Sequence, residues 1–173
     1  MSKKIRSLEE LQQLVAELKF EGNKVVQSHG VFDLLHIGHI RHLEEAKSLG
    51  DILIATVTPD EFVHKGPNRP AFQTALRLEA LAALGVVDFV AANTWASAVE
   101  TIKLIQPDIY CKGPDYKQHD EDLTGKISEE ESAVVSVGGT IHYTGGITFS
   151  SSNLLNEYGN VFSENQRDFL SRT

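Results

Sequence analysis

Gly30-Val31-Phe32-Asp33-Leu34-Leu35-His36-Ile37-Gly38-His39 decides the fold, because a strand enters this stretch and a helix leaves it. Upstream, Lys24 to Val31 reads as a strand ending at Gly30. Downstream, Ile37 to Leu49 has helical spacing and is closed by Gly50. The pair makes a β-loop-α unit. At such a junction the backbone amides and the positive end of the helix dipole favour an anion, and phosphate is the natural guest. Gly38 lets a phosphate approach the backbone closely, and His36 and His39 can both donate hydrogen bonds to its oxygens.

Outward from this unit the same rhythm repeats. Ser7 with Glu10 forms a capping box, and Leu8, Leu11, Val15 and Leu18 follow at helical spacing, which predicts a first helix to about Phe20 against a sheet edge. Asp51 to Thr58 is a nearly continuous apolar, β-branched run, as in a strand buried on both faces of a parallel sheet. A loop passes Lys65 and Arg69-Pro70, then a helix is expected over 74–84, a strand over 88–92, a helix over 96–105 and a strand over 108–111. A polar loop from Lys112 to Lys126, a helix near Ser128 and a strand at Thr140 to Tyr143 complete the pattern. Five strands alternating with helices predict a Rossmann-like, doubly wound α/β fold, its mainly parallel sheet covered by helices on both faces. Ligands then belong beyond the carboxyl ends of the strands.

Bulk properties narrow the function classes. At 173 residues the chain fits one ordinary domain, expected over 1–158, with a weakly patterned tail over 159–173. Phe162, Phe169 and Leu170 are scattered there, compatible with a terminal helix, an oligomer contact or the start of a second domain. The lone Cys111 permits no internal disulfide, and no leader or long apolar run is present, so a soluble cytoplasmic protein without membrane attachment is expected. A net charge of -8 argues against a broad nucleic-acid-binding surface, so any phosphate must be held locally.

Other residues extend the candidate site, each with a plainer reading beside it. His36, His39 and His42 recur every three residues, as metal ligands can, but no nearby Cys or carboxylate completes a tetrahedral set. Ser150, Ser151 and Ser152 stand at a helix start, where hydroxyls and free amides make a second anion site or a simple cap. Lys65 brings a mobile charge on a Gly/Pro-rich loop, able to fold over a triphosphate or to remain solvated. Arg69 and Arg77 are candidates for a substrate phosphate, or for surface ion pairs. Lys112 and Asp115 follow the fourth strand, within reach of the crevice.

The string as a whole, Gly30-x-Phe32-Asp33 followed by His36-x-Gly38-His39, resembles the signature of the cytidylyltransferase-like nucleotidyltransferase superfamily. The resemblance implies that His36 and His39 bind a triphosphate and stabilise charge at its α-phosphorus, with Lys65 as a third catalytic group. It assigns the nucleotide to Gly30, Phe32, Asp33, Gly38, Lys112, Asp115 and Ser150 to Ser152, and the substrate to Arg69 and Arg77. Class I aminoacyl-tRNA synthetases share H-x-G-H, but they require longer chains and a K-M-S-K-S loop. Lys126-Ile127-Ser128-Glu129-Glu130 places carboxylates where that loop has lysine.

Over residues 24–156 the order and spacing are similar to the heptose 1-phosphate adenylyltransferase branch. The matching elements are Gly50-Asp51, Thr58-Pro59-Asp60, Lys65-Gly66-Pro67, Arg69-Pro70, Val87-Asp88, Pro107-Asp108 and Lys112-Gly113-Pro114-Asp115-Tyr116. Ser150-Ser151-Ser152 departs from the usual S-T-T or S-T-S. The arginine of the glycerol-3-phosphate cytidylyltransferase branch is missing, with Tyr143-Thr144 in that region. The resemblance therefore implies transfer of a nucleoside monophosphate from ATP or CTP to a sugar-phosphate-like acceptor, heptose 1-phosphate type preferred, with release of pyrophosphate. It further implies Mg2+, with Asp33 as a contact or else as an acceptor for loop amides, a homodimer, and fusion to or work beside a sugar kinase. Two other expectations are a cytidylyltransferase for another small phosphate ester and a non-catalytic nucleotide-binding module.

Overall fold

The structure is a computed structural model and describes residues 2–64, 69–113 and 126–145. Its first helix, α1 (Leu8–Phe20), starts where the Ser7 hydroxyl accepts from the Glu10 amide at 3.1 Å and the Glu10 carboxylate accepts from the Ser7 amide at 2.8 Å. The reciprocal cap satisfies two amides that a helix start leaves open. There follow β1 (Val25–Gly30), α2 (Ile37–Ser48), β2 (Ile52–Val57), a 3₁₀ turn (Asp60–Phe62), α3 (Thr74–Ala82) and β3 (Phe89–Ala92). Then come α4 (Val99–Ile105), β4 (Ile109–Lys112), α5 (Lys126–Ser136) and β5 (Thr140–Tyr143).

The five strands lie in the order β3-β2-β1-β4-β5, and every pairing is parallel. β1 is central, with Val26 opposite Leu53 on one side and Ile109 on the other. The chain steps outward from β1 to β3 and then returns to begin β4 beside β1. That reversal is the topological switch point, where strand ends diverge and leave a crevice.

Alternation along each strand builds two cores. Val26, Leu53, Ala55, Val90, Ile109 and Cys111 face α2 and α3 with Leu43, Ala46, Leu78 and Leu81. On the opposite face Val25, Ile54 and Ala91 meet Leu8, Leu11 and Val15 of α1 and Ile105 of α4, while Tyr110 packs with Ile102 of α4 and Val134 of α5. Such two-faced burial is why the strands read as continuous apolar runs.

Three expectations are corrected. α1 lies over the sheet face instead of its edge; the segment before it reaches the edge, where Ile5 bridges β3 at Val90. α4 begins at Val99, because the Asn93 amide group donates to the Trp95 and Ser97 carbonyls at 2.6 and 2.8 Å and holds a turn where a helix was expected. Gly50 does not adopt a left-handed cap; it is needed for close approach, since a Cβ there would stand 2.7 Å from the Lys24 carbonyl oxygen. Among the described residues no helix is long and apolar enough to cross a membrane.

Candidate active site at the strand ends

The loop from β1 to α2 is held in an uncommon shape. Phe32 and Leu34 have φ of 50° and 52°, the left-handed region that side chains rarely enter. Each such residue costs on the order of 1–3 kcal/mol and persists only where neighbours over-determine it. Asp33, between them, supplies much of that constraint. Its carboxylate accepts from Arg69 Nε at 2.9 Å and from the amides of Ala71 and Phe72 at 2.8 and 3.1 Å. Burial alone would raise its pKa, but the two amides and the Arg69 guanidinium outweigh this and hold it below the usual carboxylate range.

Arg77 supports the same loop from below. Only 1% exposed, it donates through Nε to the Phe72 carbonyl, through Nη1 to the Val31 carbonyl, and through Nη2 to Asp60 and Thr74. Arg77 therefore differs from the sequence expectation, whereas Asp33 takes one of the two roles expected for it. Arg77 braces the loop backbone instead of facing a substrate, and Asp33 is an acceptor for loop amides, its oxygens engaged by three donors.

On this support sit the two histidines. His36 is the N-cap of α2, and its Nδ1 accepts from the Gly38 amide at 3.1 Å. In the neutral ring the proton is therefore on Nε2, and burial lowers the pKa so that the neutral form prevails near pH 7. The His36 and His39 rings stack with centroids 4.0 Å apart, and the Phe32 ring meets His39 edge-on at 5.5 Å. A buried aromatic side chain thus fixes the second imidazole beside the first, at the positive end of a helix dipole. Gly30 belongs to the same packing, since a Cβ there would press on the Phe32 ring at 3.3 Å.

His42 does not join that pair. Its Nε2 lies 2.6 Å from Ser28 Oγ and its Nδ1 2.8 Å from Thr144 Oγ1, so the three-residue recurrence resolves into a pair plus a part-buried histidine with partners of its own.

Across the switch point, Lys112 ends β4 with its ammonium 2.7 Å from Glu130 and 5.4 Å from the centre of the Tyr110 ring. Glu130 also accepts from the Tyr110 hydroxyl at 3.0 Å and the Ala98 amide at 3.2 Å. Burial would raise Glu130; the charge and hydrogen bond of Lys112, with smaller help from His29 and Ala98, lower it instead. His29 follows on β1, bonded to Thr56 and Thr58 at 3.0 and 3.1 Å. Glu130, His29, Thr56 and Thr58 escaped the sequence reading. For His29 and Thr56 the available signal was polarity inside β1 and β2; Glu130 lies on α5 and Thr58 just after β2, where a polar residue carries no such signal.

Arg69 is placed beside Asp33 with a side chain 9% exposed, and its Nη2 is buried without a hydrogen-bond partner among the described residues. Lys65, Asp115, Ser150, Ser151 and Ser152 lie outside the described residues, as does the 159–173 tail.

Fold and site define a class: a doubly wound α/β protein whose first crossover presents two stacked imidazoles at a helix N-terminus beside the switch point. Comparison with known proteins makes it specific. Residues 28–167 match the cytidylyltransferase-like family model. The chain is 40% identical over 138 residues to the bifunctional protein HldE of Aliarcobacter butzleri, covering 78% of this chain and 29% of that one. The bifunctional protein HldE of Geobacter metallireducens is 33% identical over 167 residues, 93% of this chain and 32% of its own length.

The chain thus spans about a third or less of these curated relatives. Among solved structures, a lipopolysaccharide core biosynthesis protein from Thermoplasma volcanium is 30% identical with a TM-score of 0.59, covering 75% of this chain and all of that one. A pantoate-beta-alanine ligase from Francisella tularensis shares the fold at a TM-score of 0.61, covering 97% of this chain and 76% of its own, with 14% identity. The chain belongs to the cytidylyltransferase-like family, and it is a nucleotidyltransferase domain of Rossmann-like fold.

Proposed function

We propose that the domain joins the α-phosphorus of ATP to the phosphate of a heptose 1-phosphate-type sugar, releasing pyrophosphate. The observation that carries this reading is the stacked His36–His39 pair at the N-terminus of α2, held by the constrained loop at the switch point. Similarity to HldE proteins over most of this chain favours the heptose-type acceptor.

In the reaction an ionised oxygen of the sugar phosphate attacks the α-phosphorus in line, the α–β bridging bond breaks, and pyrophosphate leaves with the electron pair. The attacking phosphate is already ionised near pH 7, so positioning and charge stabilisation carry the catalysis and no strong base is needed. His36 and His39 donate to the triphosphate, Lys65 closes over it, and Gly38 lets a phosphate oxygen come close to the backbone. Gly30 and Phe32 shape that wall. Lys112, Asp115 and Ser150 to Ser152 complete the nucleotide site. Arg69 is the remaining candidate for the acceptor phosphate, since its buried Nη2 is a donor still to be matched.

Among the described residues no group of three or more metal-ligating side chains is gathered, and the Asp33 oxygens already accept from three donors. Mg2+ in this reading accompanies the triphosphate, whose charge it neutralises. A kinase-class reaction is one source of a sugar 1-phosphate, and the word bifunctional in the names of the relatives favours a second activity beside this one. We place the reaction in the cytoplasm, in a homodimer.

Pyrophosphate release tested with the four common nucleoside triphosphates against a panel of sugar phosphates checks the assignment. ATP with a heptose 1-phosphate is expected to give the highest turnover. Preference for CTP with a smaller phosphate ester would move the domain to another branch, and no release with any pair would make it a binding module.

A further inference from the structure

α2 carries His36 and His39 at its start, and one turn later two more of its side chains reach across the sheet. His42 lies between Ser28 of β1 and Thr144, the residue after β5. Ser28 and Thr144 are 0% and 1% exposed, so water has little part in this contact. The direction of every bond follows from counting hydrogens. The Thr144 hydroxyl donates to the Lys112 carbonyl at 3.2 Å, so its oxygen accepts from His42 Nδ1–H, which leaves Nε2 to accept from the Ser28 hydroxyl. Burial brings the His42 pKa down to about 4, against a smaller opposing pull from Glu45, so the ring keeps one donor and one acceptor near pH 7.

Three residues further along α2, Glu45 receives the Gly145 amide on both carboxylate oxygens, at 3.1 and 3.0 Å, and lies 3.1 Å from His142 Nε2. Thr144 and Gly145 lead in sequence into Gly146 and on to Ser150-Ser151-Ser152.

We propose that His42 is a positioning residue, assisted by Glu45: by tying α2 to Ser28 of β1 and to Thr144 beyond β5, it fixes the helix that carries His36 and His39 against the sheet. This rests on the reading above, in which those histidines bind the triphosphate. An apolar side chain would fill the same space; what it would lack is the two-sided hydrogen bonding that sets where Thr144 stands relative to β1. A directed chain of buried hydrogen bonds specifies one arrangement, because any other leaves a polar group unmatched.

The test is the affinity for ATP, measured by calorimetry without acceptor, on wild type, His42→Phe, Thr144→Val and the double variant, with melting temperatures in parallel. Each single variant is expected to bind about tenfold more weakly well below its melting point, the scale of one buried hydrogen bond. The double variant is expected to lose little more than either, since both act on one unit. Glu45→Gln, at a half-exposed site where folding is secure, is expected to weaken binding by a smaller factor and answers the question if the buried variants fail to fold. Wild-type affinity in the folded variants would overturn the proposal while leaving the nucleotidyltransferase reading intact. Failure of the wild type to bind any triphosphate would overturn that reading and this inference with it.

Discussion

Two of the loops that join a strand end to a helix on this sheet, after β1 and after β3, solve the same problem in opposite ways. After β3, Asn93 donates to the carbonyls of Trp95 and Ser97 and accepts from the Thr101 hydroxyl, so the turn is satisfied within its own few residues. After β1, Asp33 accepts from amides 38 and 39 residues away, and Arg77 braces Val31 from 46 residues away. The first loop needs no unusual backbone. The second holds Phe32 and Leu34 in the left-handed region and presents His36 and His39 at the helix start. A loop that closes on itself serves stability, whereas one propped from outside can aim its own groups at a ligand.

That contrast can be broken or sharpened by substitution. The largest effect is expected at the presented group: His39→Ala should reduce turnover by about a hundred- to a thousandfold, the usual cost of one preorganised donor, with the melting temperature little changed. Unaltered turnover in a folded His39→Ala protein would remove the imidazole pair from the chemistry. At the prop, Arg77→Met leaves the Val31 and Phe72 carbonyls and the Asp60 carboxylate without their donor. It should cost about 3 kcal/mol in denaturant unfolding and lower turnover as the loop relaxes.

pH gives the next test. The His42 pKa is about 4 in the folded state against 6.5 for an ordinary histidine, so between these values the unfolded chain binds the extra proton. Stability from this source is complete above pH 6.5 and falls as the pH is lowered, by about 2 kcal/mol at pH 5. His36, also lowered by burial, acts in the same direction. Denaturant titrations of wild type and His42→Phe across pH 7 to 5 should show the slope flattened in the variant; equal slopes would place the protonation elsewhere. The smallest effect is expected in the self-contained loop, where Asn93→Ala should cost about 1 kcal/mol of stability without changing turnover.

The sequence made the fold legible because its signals are local. Alternation and apolar runs mark β1 through β5, and the Ser7–Glu10 box marks α1 to the residue. Boundaries failed where a side chain overrode propensity, as at Asn93, which delays α4 to Val99. The histidine pair was legible because residue type and position at a strand-helix junction coincide. The duty of Arg77 was not, and that of Asp33 stayed open between two roles, since both depend on partners brought close only by the fold. His42 shows the same limit from the other side: its three-residue spacing from His39 suggested a shared ligand, while Ser28 and Thr144 claim both of its nitrogens.

The central claim is that a phosphate oxygen of the acceptor displaces pyrophosphate at the α-phosphorus of the nucleotide. Phosphorus NMR of ATP and a heptose 1-phosphate incubated with the domain and Mg2+ tests it directly. Two mutually coupled phosphorus signals from a new diphosphate bridge are expected, one from the sugar phosphate and one from the former α-phosphorus, appearing in step with inorganic pyrophosphate. Formation of ADP with a doubly phosphorylated sugar would contradict it.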